Sequence, residues 1–379
     1  MQKRDVYKVF TTLISSVVND EKVPTAVLES LTDQFLSALF NLANSHDLSH
    51  FISYALNKAG VTVPDEFVKK DNLAKYRYGI SDYEIGRIKS IFEEEHIPYI
   101  ILKGENLRKL YPEPYLRQSC DIDVLVKKED LKRASEVIEK QFSSSKGKEQ
   151  EHDIFFKTDT GVSIELHFSF GTRNGADDLL EKVWEKSVAV EGKYCFEMPD
   201  EIFNAYFIFH TANHFRRGGC GVKPIMDCYM LFKKRNFSAN MSKEILEELG
   251  CLIFAEKAYA LADAWFGDAK MDDVLLEMEE FVMDGGVYGS LKHRTEIYAV
   301  HDGKKFYRKR IFMSLKDLRI RYKKLEKYPF LYPFYTVVRW FSIFDKNRRK
   351  AIMYELEYKS TMTNDNTSKT AQLLKNLGL

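Results

Sequence analysis

The sequence lacks the features that mark several classes of protein. Its 379 residues include only five cysteines and no Cys-x-x-Cys pair, so neither a disulfide framework nor a paired-cysteine zinc site is expected. The formal net charge is only +1, which excludes a globally basic nucleic-acid-binding surface but leaves local patches open. No run of about 18 apolar residues occurs, so no transmembrane helix is predicted.

The start of the chain does not have the pattern expected of a secretory signal. The segment MQKRDVYKVFTTLISSVV joins basic residues to an apolar stretch that threonines and serines interrupt. No small-residue cleavage site follows, so an amphipathic helix is predicted instead of a signal peptide. Together with unpaired cysteines, this predicts a cytoplasmic protein with reduced thiols.

Changes in hydrophobic pattern divide the chain into four regions. Apolar residues recur at helical spacing over residues 1–85 and again over 199–358. Residues 86–198 instead alternate short β-rich runs with helices. Residues 359–379 form a polar tail that is predicted to fray. The predicted fold class is α+β, with a small mixed β-sheet between N-terminal and C-terminal helical regions.

Two local patterns make specific predictions about helices. Ser81 and Glu84 have the spacing of a capping box, which predicts a helix that starts at about Asp82. The aromatic run 328–344 contains two prolines and an arginine. We predict that it is a helix docked on the protein core and not a membrane anchor.

A pair of acids lies in a run that alternates with period two. In a strand over Asp121 to Val126, Asp121 and Asp123 share one face, with roots roughly 6 to 7 Å apart. Ile122, Val124 and Val126 point to the opposite, buried face. Two acids on one face repel each other unless a cation lies between them, and a hard divalent ion supplies that cation. A lone pair of this kind is more often a solvated strand face.

A third acid lies in a second alternating run, Val162-Ser-Ile-Glu-Leu-His-Phe168. Glu165 and His167 share the polar face of this predicted strand. If the strand pairs beside the first, Glu165 completes a cluster of three carboxylates. Such a cluster can bind two Mg²⁺ or Mn²⁺ ions for phosphoryl or nucleotidyl displacement.

A candidate phosphate-binding turn precedes these strands. Lys103 and Gly104 end a β-rich run and open a helix. Glycine allows a close backbone approach, and a lysine adds positive charge. Arg117, four residues before Asp121, is positioned in sequence to reach the same site as a bidentate phosphate ligand.

The segments IILKGENLRKLYPEPYLRQSCDIDVLV and SIELHF resemble a bacterial family of uncharacterised nucleotidyltransferases within the DNA polymerase β-like superfamily. The resemblance implies a nucleotidyltransferase core in which Asp121, Asp123 and Glu165 bind metal and carry catalysis. It also implies transfer of a nucleoside monophosphate from an NTP, with ATP as the expected donor. The acceptor is left open among a small molecule, RNA and protein.

The resemblance extends through FIFHTANHFRRGGCGVKPIMDCYMLFKK and the later YPFLYPFYTVVRW. His210, His214, Lys223 and Asp227 match a pattern of spaced histidines followed by a basic residue and an aspartate. With His167, they join Lys103, Gly104 and Arg117 as predicted nucleotide-binding residues.

The sequence departs from the superfamily at the phosphate-binding turn. Gly104 is followed by Glu105, where the superfamily has serine or glycine. The serine that often contacts the triphosphate is therefore missing, which keeps a second hypothesis open. On that hypothesis, the protein is a nucleotide-binding regulatory module without turnover.

A third hypothesis concerns the basic segment 304–327, which has eleven lysines and arginines against two acids. The segment is compatible with a solvated amphipathic helix, a nucleic-acid or acceptor surface, or a membrane-surface helix. The corresponding function is nucleic-acid binding.

Overall fold

The structure is a computed structural model that describes residues 2–142, 152–171, 175–287, 289–303, 312–315, 318–319, 322, 324–341 and 346–379. Most of the basic segment 304–327, and with it the nucleic-acid prediction, lies outside these residues. All five cysteines are unpaired, as predicted.

The N-terminal part of the chain folds into helices. They are α1 (Lys3–Val18), α2 (Thr25–Glu29), α3 (Asp33–Ser45), α4 (Ser49–Lys58) and α5 (Asp65–Glu94). The predicted amphipathic helix at the start of the chain is α1, which buries Phe10, Leu13 and Ile14 on its apolar side.

The predicted helix start at Asp82 is wrong, because α5 runs without a break from Asp65 to Glu94. Ser81 lies inside the helix, where its hydroxyl accepts a hydrogen bond from Arg108. Glu84 is buried and bonds to Arg87. Neither side chain is therefore free to cap a helix, and packing along α5 overrides the local signal.

A mixed four-stranded sheet follows, as predicted, and establishes the α+β fold class. Its elements and the short segments beside it are β1 (Tyr99–Ile101), α6 (Gly104–Arg108), β2 (Asp121–Val126), α7 (Leu131–Phe142), β3 (Asp153–Lys157), β4 (Ser163–His167), α8 (Ala176–Lys186), β5 (Val188–Ala189) and β6 (Phe196–Glu197). The strand order is β1-β2-β4-β3, and β5 pairs separately with β6. The central strands β2 and β4 are parallel, while β1 and β3 run antiparallel to their neighbours.

The two faces of the sheet have different surroundings. Ile122, Val124 and Val126 of β2 pack in a core with Ile164 of β4 and Ile88 of α5. Side chains alternate between the faces of a strand, so this packing turns the acids of β2 and β4 to the opposite face.

Helices return after the sheet. They are α9 (Asp200–Gly218), α10 (Val222–Arg235), α11 (Lys243–Glu248), α12 (Leu252–Phe266), α13 (Asp273–Met283), α14 (Leu291–Asp302), α15 (Lys324–Lys327), α16 (Tyr332–Phe341), α17 (Lys346–Thr361) and α18 (Asn364–Asn376). Buried side chains of α9 to α13 form one continuous hydrophobic cluster with those of α1, α3 and α4. The N-terminal and C-terminal helices therefore share a core beside the sheet. Among the described residues, no helix is both long and apolar enough to cross a membrane.

The prediction that residues after Tyr358 fray is wrong. They continue α17 and then form α18, whose Leu373 and Leu374 are buried together with Leu377 just after the helix. Thr370 of the same helix donates a hydrogen bond of 3.2 Å to Glu296. The polar composition of the tail conceals this small apolar face.

The predicted docking of the aromatic run on the core is wrong for residues 328–341, and residues 342–344 of the run lie outside the described residues. Thr336 is the buried residue of α16, whereas Phe334 and Phe341 are exposed. Several large apolar side chains of this helix are therefore accessible to solvent.

The docking of α18 gives a test of the fold. Replacement of Leu377 by alanine removes a fully buried side chain, and it should lower the free energy of unfolding by about 2–4 kcal/mol. Denaturant-induced unfolding followed by circular dichroism measures this change.

Lys375→Ala is the matched control, since Lys375 is an exposed residue of α18, two positions before Leu377. It should change the free energy of unfolding by no more than about 0.5 kcal/mol. If Leu377→Ala were equally neutral, α18 would not be docked.

Candidate active site

Parallel pairing of β2 with β4 brings the predicted acids together. Asp123 lies directly beside Glu165 in the strand register, and Asp121 lies beside Ser163. Ligand atoms of Asp123, Glu165 and His167 all fall within 4.8 Å of one another. The predicted neighbourhood of the two strands is confirmed, and His167 joins the cluster from the same face of β4.

Asp123 is the most enclosed carboxylate of the cluster. Burial alone would raise its pKa, but the charge of Lys103 and a hydrogen bond from His167 outweigh burial and hold the pKa of Asp123 well below its usual range. His167 Nε2 lies 3.0 Å from Asp123 Oδ1, and Lys103 Nζ lies 3.5 Å from Oδ2. Asp123 is therefore ionised at neutral pH.

The pKa of Asp121 is shifted in the opposite direction to that of Asp123. Burial raises its pKa to about 6, and the negative charge of Asp123 acts in the same direction. Glu165 adds to this repulsion, whereas Lys103 and Arg117 reduce it. Burial and repulsion therefore make Asp121 harder to ionise than a free aspartate, and a bound divalent cation would relieve the repulsion.

His167 provides a positive charge that partly neutralises the carboxylates of Asp123 and Glu165. Burial would lower its pKa, but hydrogen bonds to Asp123 and Glu165 outweigh burial and raise the pKa of His167 to about 9. The imidazole lies 3.5 Å from Glu165 Oε2 as well as 3.0 Å from Asp123. At neutral pH, the imidazole is therefore a protonated bridge between two carboxylates.

Two histidines of α9 face Lys103 across the site. His210 and His214 are four residues apart, so they share one side of the helix. Their Nε2 atoms are 2.9 Å apart, and Lys103 Nζ lies 2.6 Å from His210 Nε2. Burial lowers the pKa of His210 well below its usual range and that of His214 to about 4, with the charge of Lys103 contributing to both. Both imidazoles are neutral, so the Lys103 ammonium donates to His210.

Tyr206 is a residue of this site that the sequence analysis missed. It lies one turn before His210 on α9 and is buried. Burial raises the pKa of its phenol well above the usual value, and the charges of Asp123, Asp121 and Glu165 raise it further. The four-residue spacing of Tyr206, His210 and His214 was the available signal.

Ser119 is a second missed residue, and it lies against the predicted phosphate-binding turn. A Cβ atom on Gly104 would come within 3.0 Å of Ser119 Oγ. This hydroxyl accepts a hydrogen bond of 2.7 Å from Arg117 Nη1. A serine from the loop before β2 therefore stands at the turn where Glu105 follows Gly104. Its distance along the chain explains why no local pattern revealed it.

Arg117 and Asp227 form a buried ion pair beside the site. The Nη2 and Nε atoms of Arg117 lie 2.8 and 3.3 Å from the two carboxylate oxygens of Asp227. Tyr111 donates a further hydrogen bond of 2.8 Å to Asp227. Burial would lower the pKa of Arg117, but Asp227 raises it above the ordinary value.

Lys223 lies one turn before Asp227 on α10. It contacts the loop before β2 at Gln118, next to Arg117. Its Nζ atom lies 3.3 Å from Asp47 and 3.5 Å from the carbonyl of Gln118. The structure thus separates the predicted nucleotide-binding residues into two groups. Lys103, Gly104, His167, His210 and His214 lie around the acids, whereas Arg117, Lys223 and Asp227 hold the loop that leads into β2.

The donor set of the cluster fits a divalent metal ion. Mg²⁺ and Mn²⁺ prefer carboxylate oxygens, which Asp123 and Glu165 provide within the cluster and Asp121 provides beside it on the same face of β2. The imidazole of His167 could become a further ligand for Mn²⁺ only after losing its proton. The repulsion that Asp123 and Glu165 exert on Asp121 would be relieved by a cation bound between them.

Residues 19–267 match the model of the uncharacterised nucleotidyltransferase family. The matched span covers more than half of the chain and includes the whole sheet, the acids and helices α9 and α10. Comparisons with curated proteins and with solved structures find no match.

The electrostatics of Asp121 lead to a prediction about stability. Its folded pKa of about 6 lies above the unfolded value of about 3.9, so its ionisation destabilises the folded protein increasingly as pH rises between these values. In metal-free buffer at pH 8, Asp121→Asn should therefore raise the free energy of unfolding by about 1 kcal/mol or more. At pH 3, where the carboxyl is protonated in both states, the gain should vanish.

Denaturant unfolding at the two pH values, in the presence of a chelator, measures this difference. Asp268→Asn, at an exposed position after α12, is the control and should be neutral at both. A variant of Asp121 that is less stable at pH 8 than the wild type would contradict the proposed repulsion.

The buried pair of Arg117 and Asp227 leads to a second prediction. Asp227→Asn leaves a buried guanidinium without its counter-charge and should lower the free energy of unfolding by about 3 kcal/mol. Asp200→Asn breaks the more exposed pair with Arg235 and should cost less than about 1 kcal/mol. Thermal and denaturant unfolding of both variants makes the comparison, and equal effects would show that the buried pair does not secure the loop.

Proposed function

The chain belongs to the uncharacterised nucleotidyltransferase family, and on this premise we propose that it is a divalent-metal-dependent enzyme acting on an NTP. It transfers the nucleoside monophosphate to a hydroxyl or phosphate oxygen of an acceptor and releases pyrophosphate. ATP is the proposed donor, and the acceptor is a small molecule, an RNA or a protein.

The parallel register of β2 and β4 is the observation that carries this proposal. It sets Asp123 beside Glu165, with Asp121 on the same face of β2. The opposite face of both strands is packed in a hydrophobic core, so the acids cannot turn away from one another. A rigid sheet face with converging carboxylates is the arrangement that metal-assisted phosphoryl transfer needs.

We assign the metal ligands to Asp121, Asp123 and Glu165, which would hold two Mg²⁺ or Mn²⁺ ions. When bound, such ions neutralise the phosphates and favour attack on the α-phosphorus with departure of pyrophosphate. His167 fixes the orientation of Asp123 through its hydrogen bond, so that the carboxylate presents its other oxygen to the site.

Lys103 is the proposed contact for the triphosphate. Its ammonium lies between Asp123 and His210, so it can turn from these partners toward a phosphate without leaving the site. Gly104 has no side chain, so the backbone of this turn is open to the same phosphate. The Ser119 hydroxyl lies beside Gly104 and adds a polar group there. Neutral His210 and His214 provide hydrogen bonds from the side of α9.

Glu165 is the proposed acid on the acceptor side. Its side chain is 28% exposed, whereas that of Asp123 is 3% exposed, so an acceptor entering from solvent meets Glu165 first. As the acceptor oxygen bonds to the α-phosphorus, the bond to pyrophosphate breaks and the acceptor proton moves to a Glu165 carboxylate oxygen.

Arg117, Lys223 and Asp227 support nucleotide binding through the loop before β2. Arg117 ties Ser119 to Asp227, and Lys223 contacts Gln118 in the same loop. Arg117 also moderates the charge of Asp121. We propose that these residues hold Asp121 and the phosphate-binding turn at a constant separation.

A label-transfer assay tests the proposal. Purified protein is incubated with Mg²⁺ or Mn²⁺, each α-³²P-labelled NTP in turn, and a cell extract that contains small molecules, RNA and protein. Asp123→Asn keeps the shape of the side chain but removes its charge, and it should reduce transfer at least about 10²-fold. The labelled product identifies the acceptor class.

Asp159→Asn is the matched control, because Asp159 lies on the exposed turn between β3 and β4 and pairs with Arg87. It should transfer label like the wild type. Retained transfer by Asp123→Asn would disprove the assignment of the acids. Metal-dependent NTP binding without any transfer would favour the regulatory module.

A further inference from the structure

A stripe of apolar side chains lies exposed on α16 and on the turn before it. Phe330, Phe334 and Phe341 are 76%, 59% and 63% exposed, and Val337 between them is also exposed. Their spacing of four, three and four residues places them along one side of a helix. Thr336, on the other side, is buried. We call these four apolar residues the α16 face.

Neighbouring rings enlarge this surface. Trp340 is exposed and contacts Phe312 with ring centroids 5.7 Å apart, and Tyr328 contacts Phe330 at 6.0 Å. More than half of the exposed large apolar side chains in the described part of the protein fall between residues 312 and 354. Single exposed apolar residues are ordinary, but a concentrated patch of this kind marks an interaction surface.

Positive charge surrounds the patch in the sequence. The segment 304–327 before it has eleven lysines and arginines against two acids. On the structure, Lys324 and Lys327 are exposed just before the patch, and Arg349 and Lys350 are exposed after it. An apolar helix face flanked by cations has the composition of an interfacial helix that binds anionic lipids.

We propose that the α16 face binds the surface of a membrane that contains anionic lipids. Its phenylalanines would enter the boundary between headgroups and acyl chains, while lipid phosphates would contact the exposed cations of the described residues, which are Lys324, Lys327, Arg349 and Lys350. A second copy of the chain would bring like charges together on both sides of the face. An RNA would use the cations but would leave the apolar stripe exposed to water. A lipid surface satisfies both features.

Vesicle sedimentation of the full chain tests this inference, which does not depend on the proposed enzymatic function. Vesicles of phosphatidylcholine alone are compared with vesicles that also contain phosphatidylglycerol. The wild type should sediment with the anionic vesicles. The double variant Phe330→Ser/Phe334→Ser should bind them at least about tenfold more weakly. Salt near 1 M, which shortens the Debye length to about 3 Å, should also weaken binding.

Phe232→Ser/Tyr76→Ser is the matched control, because both of its aromatic residues are exposed elsewhere on the protein. It should bind the anionic vesicles like the wild type. Circular dichroism confirms that each variant remains folded, and NTP binding without vesicles should be the same in all three proteins.

Three results would overturn the inference. The first is no sedimentation with either kind of vesicle, and the second is equal binding to neutral and anionic vesicles. The third is a concentration-dependent dimer or an RNA complex that the Phe330→Ser/Phe334→Ser variant loses while neither protein binds vesicles. That result would assign the face to a second copy or to RNA instead.

Discussion

Repulsion among the carboxylates of β2 and β4 is the interaction on which the site depends. The hydrophobic packing of Ile122, Val124 and Ile164 fixes the acids on the opposite face, so they cannot separate. Lys103 and protonated His167 stabilise Asp123, whereas Asp121 retains a raised pKa. In the proposed metal site, the uneven ionisation of neighbouring carboxylates would favour binding of a divalent cation and would link that binding to proton release.

The surrounding helices complete this arrangement. From one side, α9 presents Tyr206, His210 and His214 toward Lys103 and the acids. From another, α10 holds the loop before β2 through the buried pair of Arg117 and Asp227. Because α9 and α10 share a core with the N-terminal helices, the stability of the whole helical part supports the geometry of a small sheet.

Much of the sheet and the acid cluster could be predicted, because period-two alternation in a strand determines which side chains share a face. That pattern placed Asp121 with Asp123 and Glu165 with His167 before any contact was known. It could not reveal that Ser119 meets Gly104 or that Arg117 bonds to Asp227, since both contacts join residues that tertiary structure alone brings together. Local sequence signals gave wrong predictions where tertiary packing determines helix boundaries and burial. Ser81 lies inside α5, the polar tail conceals Leu373 and Leu377, and the aromatic run leaves several of its large apolar side chains accessible to solvent.

The central claim is that β2 and β4 together build one site for divalent ions. The most direct measurement is a titration of the protein with Mn²⁺, with free and bound ion distinguished by electron paramagnetic resonance. The account predicts saturable binding that Glu165→Gln weakens strongly, although Glu165 lies on a different strand from both aspartates. Mn²⁺ binding that is unchanged in Glu165→Gln would contradict it, because the two strands would then not share the ion.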